Sequence, residues 1–209
     1  MLYPRVDALG KLVSDDQMVG HREHLTQQHR VLFLSGVLTG ETESHNLLLA
    51  LDSLSSAPIR IVITSPGGDL DSAFLFYDTM QLLRSPVYTV GRYCASAAAL
   101  LLAAGQKRYL FPHAKVMLHT PKTYLGSVGL ADADLEVVHK EAKKYKAKMA
   151  EALIACGVRR TATELLVDIE RADFWLEPEE AIKYGLADEV MTKKTLEEWL
   201  RNEPDTKDN

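Results

Sequence analysis

From residue 31 onward, apolar positions fall in short blocks whose spacing changes from one block to the next. VLFLSG (31–36) and VYTVG (87–91) read as strands, and IRIVIT (59–64) as a buried strand. Between them, GETESHNLLLALDSLSSAP predicts a helix capped by Thr42 or Ser44 that ends before Pro58. SPGG (65–68) predicts a turn. DLDSAFLFYDTMQLLR predicts a helix with Asp69 and Asp71 in its first turn, where the dipole favours acids. A polar loop then leads to an apolar helix opening at Ser96. KRYLF and KVMLH predict two short strands broken by Pro112. A long helix is expected from Ala131 to Cys156, with Leu135, Val138, Ala142, Tyr145, Met149 and Leu153 on one stripe and Gly157 as its stop. After it come a helix at 161–169, the loop RADFWLEP, a helix EEAIKYG, a strand LADEVM and a short helix TLEEWL. Strands alternating with helices predict an α/β layered fold. Residues 1–28 show no period and are expected to be a flexible lead-in, 29–201 a single domain, and 202–209 a disordered tail.

Composition narrows the class. The chain has 209 residues, 46% hydrophobic and 25% charged, which fits one globular domain with a sizeable core. A net charge of -5, with no basic block, argues against nucleic acid as a partner. The lysines of 140–148 are interleaved with helix formers and read as a solvated face. Two cysteines, Cys94 and Cys156, are too few for a disulfide framework and point to a reducing, cytoplasmic setting. The first 20 residues lack the apolar core of a signal peptide, and the run around Ala97–Ala104 is too short to span a bilayer, so no membrane association is expected.

Candidate chemistry centres on GRYCASAAALLLAAG (91–105). Ser96 opens an apolar helix among alanines, where unpaired N–H groups and the helix dipole would stabilise a developing oxyanion. The alternative is that Ser96 is simply the N-cap. A serine needs a base, and the base needs an orienting acid. Of seven histidines, His119 stands apart, because it ends an apolar strand and is followed at once by Thr120 and Pro121. Asp173, before Phe174, Trp175 and Leu176, is a candidate orienter; it could equally cap the helix at Pro178, and Asp168 and Glu170 are rivals. Gly67 and Gly68 in SPGG could aim backbone N–H groups at a ligand oxygen, or merely form a type II turn. His21 and His24 lack a Cys or acid partner at ligand spacing, so no metal is expected. No phosphate-binding G-x-x-x-x-G-K-[ST] occurs and no cofactor is expected. Cys94 reads as a small buried thiol rather than a nucleophile.

In order and spacing, SPGGDLDSAFLFYDTMQLL, CASAAALLLAAG, KVMLHTP and RADFWLEPEEAIKYGLAD resemble the Clp protease proteolytic subunit family, over about residues 31–192. The resemblance implies a ClpP/crotonase-like spiral of ββα units with the long helix projecting as a handle. It implies Ser96 as nucleophile, His119 as general base and Asp173 as orienting acid, with the N–H groups of Gly68 and Ala97 as the oxyanion hole. Spacing back from Tyr184-Gly185-Leu186 is what favours Asp173 over its rivals. It further implies a homo-oligomer of seven-membered rings stacked in pairs, an AAA+ unfoldase partner, and unfolded protein or peptide as substrate. Two other functions share parts of this pattern: a crotonase-type acyl-CoA enzyme and a non-catalytic ring subunit. A membrane serine–lysine peptidase fits less well, since a histidine and an acid complete the set.

Overall fold

The computed structural model describes residues 22, 24–40, 42–122, 132–170 and 172–200. Six strands form one sheet: β1 (Val31–Ser35), β2 (Ile59–Ser65), β3 (Val87–Ala95), β4 (Lys107–Leu118), β5 (Phe174–Leu176) and β6 (Glu189–Val190). Strands β1 to β4 lie in chain order and pair in parallel, each step passing through a helix. These crossovers are α1 (Thr42–Leu54), α2 (Leu70–Leu82) and α3 (Ala97–Ala103). The long helix α4 (Asp132–Ala155) follows, then α5 (Ala162–Glu170), α6 (Pro178–Tyr184) and α7 (Lys193–Leu200). An isolated parallel bridge between Leu38 and Gly68 starts a second tier of pairing beside the sheet. This is the expected α/β spiral.

Period-2 alternation divides the sheet into two apolar faces. Leu32, Leu34, Ile59, Ile61 and Ile63 point into the main core, under the helices. Val31, Phe33, Val62 and Val90 point the other way, into a smaller cluster closed by Trp199 of α7 and by Leu25. At the centre of the main core sits α3, apolar on every side and buried along its whole length. Its alanines let it lie close to the sheet.

Arg60 is the exception on the second face. It is 1% exposed and donates to the carbonyls of Trp199, His29 and Pro58, tying the segments before β1 and after β6 to the sheet. Arg60→Leu leaves those carbonyls without their charged donor and is expected to lower stability by about 2–4 kcal/mol, read in a denaturant melt. A loss below about 1 kcal/mol would mean that water replaces the guanidinium.

Several expectations are corrected. KRYLF and KVMLH form one strand, β4, that runs through Pro112; the break appears instead as a register shift against β3 between Gly91 and Tyr93. Pro112 is tolerated because the rungs of the ladder lie on either side of it, at Lys107–Leu110 and Lys115–Met117. The approach to Ser96 is no loop, since β3 reaches Ala95. RADFWLEP contains β5, and LADEVM shortens to the two residues of β6. At the end of the supposed lead-in, residues 24–28 are helical and the helix continues to 29, with Thr26 Oγ1 donating to Val31 O at 2.8 Å. The stripe on α4 is buried only towards its C-terminal end, at Met149 and Leu153, while Leu135 is exposed. The expectations for residues 1–21 and 202–209 fall outside the described residues. Among the described residues no helix is long and apolar enough to cross a membrane.

Candidate active site

The site is assembled by strand register. On the antiparallel β4–β5 ladder, Val116 pairs with Leu176, Met117 with Trp175 and Leu118 with Phe174. The next rung sets His119 opposite Asp173, which places the two side chains on one face. Parallel pairing of Ala95 with Met117, and a bond from Ser96 N–H to Met117 O at 2.8 Å, bring the end of β3 beside the same rung. The loop after His119 is pinned by Thr120, whose N–H donates to Ile169 O at 3.2 Å. Residues 96, 119 and 173 therefore meet because three strand ends coincide.

Ser96 Oγ and His119 Nε2 are 2.7 Å apart, within hydrogen-bonding distance. Although Ser96 occupies the N-cap position of α3, its side chain makes no capping bond. Its backbone has φ 58 and ψ -127, a conformation that costs an L-residue about 1–3 kcal/mol and that turns a strand sharply into a helix. That turn presents the hydroxyl outside the sheet. Asp173 does not cap α6 either; Glu177 does so through a capping box with Glu180. The rivals are engaged elsewhere: Asp168 accepts from Tyr184 and Arg160, and Glu170 pairs with Lys146 at 2.8 Å.

The third contact is looser. Asp173 Oδ1 lies 3.6 Å from His119 Nδ1, beyond hydrogen-bond length, and Nδ1 is a buried atom with no hydrogen-bond partner among the described residues. The imidazole is largely buried, with 15% of its side chain exposed, whereas the Asp173 side chain is 47% exposed. Burial holds the His119 pKa below its ordinary 6.5; the nearby Lys122 ammonium lowers it further and Asp173 pulls it back up. Burial thus favours the neutral ring over the imidazolium.

Beneath the serine lies the SPGG turn. Gly67 has φ +88, and its Cα faces Ala95 O, Ser96 Cβ and Ala97 N so closely that a Cβ there would lie 2.6–3.0 Å from them. The Gly67 N–H donates to Ser65 Oγ, and the Leu38–Gly68 bridge runs through Gly67 O and Asp69 N–H. The Gly68 amide takes no part in that bridge. Ala97 is the first residue of α3, so its N–H has no intrahelical acceptor. Gly67 was missed from sequence as a packing residue; the adjacent glycines were its signal. Cys94 is fully buried, and burial pushes its thiol pKa far up, which removes it as a nucleophile. Among the described residues no three His, Cys, Asp or Glu side chains converge on a metal-sized space.

The family model for Clp protease matches residues 15–194. The ATP-dependent Clp protease proteolytic subunit 1 of Corynebacterium diphtheriae is 38% identical over 177 residues, 81% of this chain and 82% of that protein. The same-named subunit of Rhodopirellula baltica is 34% identical over 174 residues, 80% of this chain and 74% of that one. A solved mutant of ClpP1 from Listeria monocytogenes superposes with a TM-score of 0.72 at 27% identity, covering 85% of this chain and 99% of its own. With fold, spacing and sequence agreeing over four-fifths of its length, the chain belongs to the Clp protease family.

Proposed function

We propose that this chain, a serine-type peptidase of the Clp family, cleaves peptide bonds of unfolded polypeptides through an acyl-enzyme on Ser96. His119 Nε2 accepts the hydroxyl proton as Oγ attacks the carbonyl carbon, and the Gly68 and Ala97 N–H groups hold the oxyanion. The imidazolium then protonates the leaving amine. A water, deprotonated by the same ring, attacks the ester and releases the new carboxylate, returning the proton to Ser96. Asp173 supports the ring from Nδ1. The observation that carries this reading is the 2.7 Å contact between Ser96 Oγ and the Nε2 of a largely buried imidazole.

The relatives are named as ATP-dependent, whereas this sequence has no phosphate-binding loop, so ATP hydrolysis falls to a separate AAA+ unfoldase. Seven-membered rings stacked in pairs fit the projecting half of α4, whose Leu135 and Val137 are 45% and 62% exposed. A cytoplasmic setting accords with the two free thiols, Cys94 and Cys156.

A fluorophosphonate tests the nucleophile, because only an activated serine is phosphonylated. One modification per chain is expected, located at Ser96 by peptide mapping, with a labelling rate that falls on acidification only below the ordinary histidine range. Labelling elsewhere, or none, removes the acyl-enzyme route. A non-catalytic ring subunit is the second reading, drawn from the 3.6 Å gap at Nδ1; absence of both labelling and hydrolysis by the purified chain would favour it.

A further inference from the structure

Building on that mechanism, we infer that Lys122 is a positioning residue of the site, whose ammonium draws the Asp173 carboxylate away from the imidazole and sets how the base is supported. One atom carries the argument. Asp173 Oδ1 faces His119 Nδ1 at 3.6 Å and Lys122 Nζ at 3.9 Å, so two cationic or hydrogen-bonding partners share a single oxygen. The ring nitrogen is buried and has no hydrogen-bond partner among the described residues, a state that costs about 1–3 kcal/mol and that a closer carboxylate would relieve. Something must keep the carboxylate off. Its backbone leads directly into β5, but its side chain is half exposed and free to turn towards the solvent-exposed ammonium.

The charged groups that act on His119 are Lys122, from the loop after β4, and Asp173, from the segment before β5. Other charged groups on the neighbouring elements pair with one another: Lys115 with Glu177 at 3.3 Å, and Lys146 with Glu170 at 2.8 Å. An exposed pair such as Lys122–Asp173 adds little to stability. Its effect is on where one carboxylate sits and on the potential at the ring. Removing the ammonium takes away a charge that disfavours imidazolium and frees Asp173 to approach Nδ1. Both changes favour protonated His119, so the acid limb of activity must move to higher pH.

The test uses the full chain and a short fluorogenic peptide, with Lys122→Met and Lys122→Arg beside the parent. For Lys122→Met, kcat/KM at pH 6 relative to its own plateau is expected to be about threefold lower than in the parent. KM should be unchanged, and Lys122→Arg should track the parent. The His119 imidazole titration, followed by NMR, should shift upward in Lys122→Met alone. Coincident acid limbs and titrations would overturn the inference, as would a change confined to KM, which would make Lys122 a substrate contact. If the parent itself hydrolyses nothing, the proposed function fails, yet the imidazole titration still decides the role of Lys122.

Discussion

Ser96→Ala is expected to lower kcat/KM for peptide hydrolysis by a factor of ~10⁴ or more while leaving the melting temperature unchanged. The two halves of this expectation come from the same observation. Ser96 sits at the N-cap of α3, and a serine that caps a helix contributes about 1 kcal/mol, lost on substitution by alanine. Here the hydroxyl makes no capping bond and is spent on His119 Nε2 instead. Alanine keeps the same strained φ of 58, so the turn costs the folded chain no more than before. Activity and stability therefore separate. Loss of the hydroxyl leaves the imidazole with no proton to remove, and the residual rate reflects oxyanion binding alone. A chemical melt and a peptidase assay on the same preparation check the pair of results. A variant that melts earlier but still hydrolyses would return Ser96 to the role of a cap.

The strands and helices legible in the sequence were those whose signal is local. IRIVIT reads as a buried strand because Ile59, Ile61 and Ile63 face the main core and Val62 the smaller cluster, and the DLDS cap of α2 is fulfilled by Asp69 accepting from Ser72 N–H. The unread parts depend on distant partners. Three residues, Phe174–Leu176, form a strand only because β4 offers an unpaired edge, and nothing in RADFWLEP announces that edge. Arg92 and Tyr93 interrupt the apolar run before Ser96 and suggest a loop, but the shift in register beside Gly91 absorbs them within β3. The apolar stripe of α4 promised burial throughout, yet Leu135 in its first half is exposed, since periodicity states which face is apolar and not what covers it. The residue set proposed for the site was legible as residue types in order. Its weak point was not: from sequence Asp173 is an acid near tryptophan, and only the β4–β5 rung and the competing ammonium explain a carboxylate that stops 3.6 Å short.

Gly67→Ala is expected to reduce kcat/KM about 100-fold, with a parallel loss in the rate of fluorophosphonate labelling, although residue 67 has no chemical part to play. Two costs must be kept apart. The first is conformational: φ at Gly67 is +88, where an L-side chain is strained by about 1–2 kcal/mol. The second is steric. A methyl group there would lie 2.6 Å from Ala95 O, 2.8 Å from Ser96 Cβ and 3.0 Å from Ala97 N, so the turn that carries Ser96 must move. Ala95 cannot retreat freely, being fixed to Met117 by β-pairing, and Ala97 begins a helix buried along its length. Displacement consequently falls on Ser96 and opens the 2.7 Å contact with His119, where a misplacement of about 1 Å costs on the order of 100-fold in rate. Gly36→Ala supplies the control, because Gly36 has nearly the same φ, +86, with nothing within 4 Å of a new Cβ. It should lose stability through strain alone and keep its activity. If Gly67→Ala matches Gly36→Ala in both stability and rate, the SPGG turn does not hold the serine in place; if it loses rate well beyond its loss of stability, the turn is the floor on which the hydroxyl is aimed.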